Sequence, residues 1–198
     1  LGKKNLQYNF HGGAEWMGAS IDHKKNKMYL TANNIPWETS IRQVNDTNSI
    51  IPKYVSEFQR ALNDDGYPIT KPPWGTLTSM DLNTGKIEWQ KPFGEYEELI
   101  KLGLNATGTE NFGGVTGTEG NVLFATGTLD KNFYVYDSIN GDILFKYKLD
   151  YIGSAPPTTY IAENKQYIIV HSTGGSSLKK GYPELVENGN KIFAFTLN

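Results

Sequence analysis

The sequence predicts an all-β fold built from a repeated sheet unit, and three observations carry that prediction. Two segments match: Asp81-Leu82-Asn83-Thr84-Gly85-Lys86-Ile87-Glu88-Trp89 and Asp137-Ser138-Ile139-Asn140-Gly141-Asp142-Ile143-Leu144-Phe145 both read D-x-x-[TN]-G-x-x-x-aromatic. Each describes a strand, a tight turn ending in glycine, and a second strand carrying a large aromatic. A supersecondary unit that returns along a chain marks a repeat architecture, and an all-β unit points to propeller blades. The composition agrees: 21 Gly, 12 Tyr, 9 Phe and 4 Trp among 198 residues favour short strands, turns and aromatic packing. The strand count is the third observation. It gives about three antiparallel blades, each four-stranded in principle, so the fold class is a partial β-propeller with a short helical insertion.

The first blade spans 18–93. Residues 18–21 and 27–33 form two strands joined by Asp22-His23-Lys24-Lys25-Asn26; in the second, Met28 and Leu30 share one face, Tyr29 and Thr31 the other. The period breaks over 34–74, where Pro36, Pro52, Pro68, Pro72 and Pro73 interrupt alternation. A stretch this long reads as an insertion. Inside it Pro52 suits a first helical turn, Val55, Phe58, Ala61 and Leu62 follow helical spacing, and Asn63-Asp64-Asp65-Gly66 ends the helix. Strands resume at 75–82 and 86–92, across the first repeated turn. A second short helix is expected over 94–103, with Leu99 and Leu102 facing inward.

The second blade, 113–149, carries strands at 114–118, 121–127, 132–137 and 142–149, with turn glycines Gly120 and Gly141. The last blade, 153–198, carries three strands, at 158–161, 166–171 and 191–197. The connection 172–190, rich in Gly, Ser and Lys, reads as a mobile surface loop. The missing fourth strand fits a ring whose last blade is completed by the N-terminal strand of a longer protein. The chain opens Leu1-Gly2-Lys3-Lys4, without methionine or a signal peptide, which fits a processed or excised segment. In the repeats, the Asp caps the turn, the glycine takes the left-handed conformation, and Trp89 and Phe145 wedge between neighbouring sheets.

Composition excludes several function classes. The charges nearly balance, 19 basic against 21 acidic for a net −2, so no field suits nucleic acid or an anionic membrane surface. No apolar run is long enough to span a bilayer. Zero cysteines remove disulfides, thiolate catalysis and Cys-based metal sites. His11, His23 and His171 lack zinc-ligand spacing. Asp64-Asp65 and Glu97-Glu98 are adjacent pairs whose side chains point apart on a helix end, which suits helix termination and solvation. Ser172-Thr173-Gly174-Gly175-Ser176 lacks the Lys-Ser/Thr end of a phosphate loop. Asn45-Asp46-Thr47 and Asn105-Ala106-Thr107 match a glycosylation triplet that is common by chance.

Beyond the repeat, five segments carry a resemblance. Gly12-Gly13-Ala14-Glu15-Trp16 reads G-G-x-[NE]-W, and Tyr67-Pro68-Ile69-Thr70-Lys71-Pro72-Pro73-Trp74-Gly75-Thr76-Leu77 matches Y-P-x-x-x-P-P-W-G-T-L. Gly108-Thr109-Glu110-Asn111-Phe112-Gly113-Gly114 reads G-T-x-N-x-G-G. Gly153-Ser154-Ala155-Pro156-Pro157-Thr158-Thr159-Tyr160 reads G-x-x-x-P-x-T-Y, and Gln166-Tyr167-Ile168-Ile169-Val170 is similar to Q-Y-V-V-I. Together, and in register over nearly the whole chain, these resemble the quinoprotein dehydrogenases that bind pyrroloquinoline quinone (PQQ), in the membrane glucose dehydrogenase-like and alcohol dehydrogenase branches.

The resemblance implies an eight-bladed propeller with PQQ on its axis against Ca²⁺ or a similar ion. It implies oxidation of a sugar or alcohol in the bacterial periplasm, with electrons passed to a membrane quinone or cytochrome c. Any membrane association would come through regions outside this segment. The family's catalytic base and metal carboxylate lie on earlier blades, so the segment is expected to hold no catalytic or metal-ligating residue and to be inactive alone. Four residues carry over as cofactor-binding candidates. Glu15 stands where many relatives have an Asn near the cofactor, and Trp16 would pack beside it. Asn111 would donate to a PQQ carboxylate or carbonyl, and Phe112 sits near where some relatives place a Trp against the ring. Gly153-Ser154 would put small residues toward the funnel. The alternative for Glu15 and Asn111 is that they cap strand starts. Two other functions fit the same strands: a cofactor-free propeller scaffold of the envelope, and a carbohydrate-binding β domain using Trp37 and Trp74 as stacking platforms.

Overall fold

Short alternating strands account for nearly all regular structure in the computed structural model, which describes residues 2–8, 10, 13–44, 53–175, 182 and 187–197. His11, Gly12, Pro52, the Asn45-Asp46-Thr47 triplet and most of the middle of the 172–190 connection lie outside them. Fourteen strands and one short helix are described. In order they are β1 (Asn5–Tyr8), β2 (Ser20–Asp22), β3 (Lys27–Asn33), β4 (Pro36–Gln43), β5 (Tyr54–Arg60), β6 (Gly75–Asp81), β7 (Lys86–Pro92) and α1 (Glu97–Lys101). Then come β8 (Val115–Gly117), β9 (Val122–Ala125), β10 (Asn132–Asp137), β11 (Ile143–Lys148), β12 (Thr158–Ala162), β13 (Lys165–Ser172) and β14 (Lys191–Thr196).

They form four antiparallel sheets, ordered β2-β3-β6-β7, β8-β9-β10-β11, β12-β13-β14 and β1-β4-β5. The first three are the sheets that alternation predicts. In β3, Tyr29, Thr31 and Asn33 are buried while Met28 and Leu30 are less so, the two-residue period of a strand with one covered face. The central sheet is covered on both faces. Leu123, Ala125, Tyr134 and Tyr136 pack on Tyr29, Leu77 and Phe93, while Phe124 and Phe133 pack on Ile168 and Val170. Stacked twisted sheets sharing apolar layers in this way are how blades adjoin.

The helical insertion is corrected. Val55, Phe58, Ala61 and Leu62 do not lie on a helix; Tyr54–Arg60 is a strand, β5, paired with β4 from Trp37↔Arg60 to Gln43↔Tyr54. The three- and four-residue spacings are there, but Tyr54, Val55 and Phe58 favour a pleated surface, and the pairing with β4 and β1 supplies it. The insertion is therefore a small sheet, held by Phe58 against Trp37 and Phe10 at ring distances of 6.0 and 5.1 Å. The second expected helix is α1. Leu99 is buried, but Leu102 is 76% exposed. The helix ends at Lys101, and Gly103 at φ +83° redirects the chain before Leu102 can turn inward.

A third apolar cluster joins the insertion to the ends of the sheets: Ile35, Trp37, Trp74, Tyr96, Leu99, Phe112, Leu129 and Ile152. Trp37 and Trp74 are core residues, so neither can serve as an exposed platform for a sugar. Trp74 stacks on Tyr67 and donates its indole N–H to Thr70 O at 2.8 Å.

Candidate functional site

The segments before β2 and before β8 meet at the end of β3. Backbone bonds fix both. Glu15 N donates to Thr31 O at 2.9 Å, and Asn33 N donates to Gly13 O at 2.8 Å, so residues 13–15 run along β3 as a short extension. Trp74 N donates to Thr107 O at 2.7 Å and Thr109 N to Phe93 O at 2.8 Å, which laces 107–109 between β6 and the end of β7. Here Gly75 and Gly108 pass backbone to backbone. A Cβ on Gly75 would sit 1.9 Å from Thr109 O, and one on Gly108 would sit 2.2 Å from Gly75 O. Only glycine allows this approach, and it delivers Glu110 and Asn111 to the end of β3.

The result is a buried polar cluster. Glu15 is 6% exposed and Asn111 fully buried. Asn33, buried between them, donates both amide hydrogens, one to Glu15 Oε1 and one to Asn111 O at 2.8 Å. Its Oδ1 accepts from Asn111 N at 2.9 Å and from Asn111 Nδ2 at 2.8 Å. Asn111 Nδ2 also reaches Ala32 O at 3.2 Å. Two acceptors are left over: Glu15 Oε2 and Asn111 Oδ1 are buried with no hydrogen-bond partner among the described residues. A buried acceptor without a donor is costly, so native structures rarely keep one unless a ligand or water satisfies it.

Electrostatics set the state of Glu15. Burial pushes its carboxyl up to about 7; the Asn33 hydrogen bond opposes the rise, and the nearby Glu110 carboxylate adds to it. Glu110 is itself compensated. The Arg60 guanidinium holds it through two parallel bonds, Nε to Oε2 at 2.5 Å and Nη2 to Oε1 at 2.8 Å, with side chains only 7% and 2% exposed. Arg60 is covered by Trp37 at 4.8 Å and Tyr182 at 5.1 Å from the ring centroids. The insertion sheet thus reaches the cluster through the last residue of β5.

The four carried-over candidates separate. Glu15 and Asn111 come together. Phe112 is buried beside them, its ring in the apolar cluster with Trp74, Tyr96 and Leu129. Trp16 does not pack against the protein next to Glu15: it is 78% exposed, because the turn closed by Gly18 N on Glu15 O at 3.3 Å sends consecutive side chains in opposite directions. Asn33, Arg60 and Glu110 are the residues that sequence reasoning passed over. Asn33 ends a regular strand and carries no motif. Glu110 stands inside the G-T-x-N-x-G-G segment at its variable position. Among the described residues, no group of three or more His, Asp or Glu could hold a metal ion.

Comparison with known proteins identifies the family and its fold. Residues 3–168 match the family model "PQQ: Glucose/ethanol/alcohol dehydrogenase, beta-propeller domain". The chain is 28% identical to a probable quinate dehydrogenase (quinone) of Xanthomonas campestris pv. juglandis, covering 94% of this chain and 26% of that protein. It is 27% identical to the quinoprotein glucose dehydrogenase of Escherichia coli, covering 84% of this chain and 24% of that protein. The chain therefore spans about a quarter of the length of these relatives. The quinohemoprotein alcohol dehydrogenase of Comamonas testosteroni superposes with a TM-score of 0.69 at 22% identity, covering 98% of this chain and 28% of that one, which shows the shared propeller fold. The chain belongs to the glucose/ethanol/alcohol dehydrogenase family of PQQ-dependent β-propeller proteins.

Proposed function

We propose that this chain forms the C-terminal blades of a periplasmic PQQ-dependent dehydrogenase that oxidises a sugar or alcohol and passes electrons to a membrane quinone or cytochrome c. On this reading the blades are 18–93, 113–149 and 153–198, and the remaining blades complete the ring. The observation that carries the reading is the pair of orphaned buried acceptors, Glu15 Oε2 and Asn111 Oδ1, on a single hydrogen-bonded cluster.

The residues fit the cofactor's chemistry. PQQ presents an N–H, quinone carbonyls and carboxylates, so a site for it must both accept and donate. Asn111 Oδ1 accepts. With its carboxyl near 7, Glu15 is present in both forms at neutral pH. As the carboxylate it accepts from an N–H or a substrate O–H; as the acid it donates to a carbonyl or carboxylate oxygen. Trp16, exposed next to it, offers an aromatic face to a flat ring system. Phe112 acts through packing, as the apolar floor behind Asn111. When bound, PQQ supplies the two-electron acceptor for alcohol oxidation. This chain's residues bind and orient; the proton-accepting base and the Ca²⁺ ligands would come from other blades.

Reconstitution of the full-length protein with PQQ and Ca²⁺ tests the reading. Dye reduction with glucose, quinate or a simple alcohol is expected, together with a PQQ absorbance signature. The absence of both dye reduction and a bound-PQQ spectrum would sink it. Glu15→Ala and Asn111→Ala should each weaken PQQ binding by about tenfold, the equivalent of one buried hydrogen bond.

A further inference from the structure

The cluster contains a residue whose hydrogen-bonding capacity is spent entirely on Glu15 and Asn111. An Asn side chain has two N–H donors and two lone pairs on its oxygen. Asn33 uses all four: Nδ2 to Glu15 Oε1 and to Asn111 O, and Oδ1 from Asn111 N and Asn111 Nδ2. The amide groups of Asn33 and Asn111 also face each other, so neither can rotate without breaking a bond. Asn33 is held in turn by its backbone. It closes β3 opposite Gly75, and its N–H donates to Gly13 O, two residues before Glu15.

We propose that Asn33 is a positioning residue that locks Glu15 and Asn111 into one unit and aims their free oxygens, Glu15 Oε2 and Asn111 Oδ1, at the same ligand. This rests on the reading that the ligand is PQQ. The arithmetic of donors and acceptors leads to that direction. Asn33 occupies one oxygen of Glu15 and both N–H groups of Asn111 that face it, and what each partner has left is an unpaired acceptor. A side chain one methylene longer could not keep this geometry, and Asp would set an oxygen against Glu15 Oε1 and Asn111 O. The cluster is also where electrostatics are finest. The charged group that acts on Glu15 is Glu110, which raises its pKa and is itself paired with Arg60; the Asn33 bond is the influence that lowers it.

Two readouts on the full-length protein test the proposal. The first needs no cofactor. Infrared pH-difference spectra, wild type against Glu15→Gln, isolate the Glu15 carboxyl band and give its midpoint in the apo protein. In Asn33→Ala that midpoint should rise, because the stabilising donor is gone. In Asn33→Asp, which keeps the shape and covers the case where the alanine variant fails to fold, it should rise further through coupling of two carboxyls. The second readout is PQQ affinity by titration across pH 5 to 9. Both variants should bind about tenfold more weakly at pH 7, and the pH dependence of binding should move with the Glu15 midpoint. A residue that merely supported the fold would lower the melting temperature and move neither midpoint. An unmoved Glu15 midpoint in both variants overturns the proposal. So does normal PQQ affinity in the Asn33 variants when Glu15→Ala binds poorly. Unchanged affinity in Glu15→Ala and Asn111→Ala overturns instead the placement of PQQ at this cluster.

Discussion

Glu15 is the residue whose environment departs most from what its type prefers. Carboxylates are rarely fully buried without a cationic partner, yet Glu15 has one amide donor and a carboxylate, Glu110, for a neighbour. Burial raises its pKa to about 7 in the folded chain, against 4.5 for a carboxyl free in water. The folded state therefore holds the proton more tightly, and folding takes up a proton between those two values. The contribution is intact below about 4.5 and is lost as pH rises through about 7, a difference of about 3 kcal/mol by linkage. Glu15→Gln removes the titration and keeps the shape. In the cofactor-free protein its melting temperature should match wild type near pH 4.5 and exceed it at pH 8. A difference between the two proteins that does not change with pH would refute the assignment. Glu15 and Asn111 were legible as polar residues at strand starts beside glycines, in segments resembling a known family. Asn33 and Arg60 were not. Their role comes from contacts between positions 18 to 78 residues apart, and nothing in their own neighbourhood marks it.

At the scale of elements, the repeated Asp-x-x-[Thr/Asn]-Gly turn was fully legible because its bonds are local. Asp81 Oδ1 accepts from Asn83 N at 2.7 Å, and Asp137 Oδ1 accepts from Ile139 N at 2.7 Å. Gly85 and Gly141 close the turns at φ +69° and +74°, and each hairpin carries a register shift two residues before the Asp. What the repeat does not encode is the neighbour. Trp89 donates its indole N–H to Ser138 O at 3.1 Å, so the aromatic of one repeat docks on the turn of the next. Phe145, expected to wedge likewise, is exposed; its counterpart turn would follow β14, and the described residues stop at Leu197. The two glycines should accordingly respond differently. Nothing lies within 4 Å of a Cβ on Gly85, whereas one on Gly141 would meet Trp89 Cε3 at 2.7 Å and Lys91 Cγ at 2.9 Å. Gly85→Ala should cost about 1 kcal/mol for the left-handed backbone. Gly141→Ala should cost about 2 to 4 kcal/mol, because the overpacking adds to the same strain. Thermal unfolding of both variants measures this, and a Trp89→Leu background should bring Gly141→Ala close to Gly85→Ala. Equal costs in the parent would contradict the wedge. The misread helix has the same origin as the unread neighbour. The three- and four-residue spacing of Val55, Phe58 and Leu62 is a local signal, and pairing with β4 outweighs it.

For the whole molecule, the asymmetry among the sheets decides behaviour in solution. The central sheet has apolar layers on both faces. The third sheet does not: Tyr160, Ile161 and Ile192 on it are exposed, and so are Ile143, Leu144 and Phe145 on β11, the edge strand of the central sheet. Solitary exposed apolar residues are ordinary, but several on one sheet, as Tyr160 on β12 and Ile192 on β14 are, form a surface that monomeric soluble proteins seldom leave open. Edge strands add unpaired N–H and C=O groups in the same places. If the remaining blades normally cover these surfaces, the 198-residue polypeptide made alone should self-associate. Light scattering after size exclusion should then give a mass that is a multiple of 22.1 kDa and that rises with concentration. Tyr160→Lys with Ile192→Lys places charge on one exposed face, since their partners Tyr167 and His171 lie four residues apart on β13, without altering an edge. If faces drive association, the double variant should shift toward monomer; if edges drive it, mass should be unchanged and a strand-breaking proline in β12 should act instead. A monodisperse monomer of the unaltered chain would show that these faces need no cover, and the proposal that other blades pack against them would fall with it.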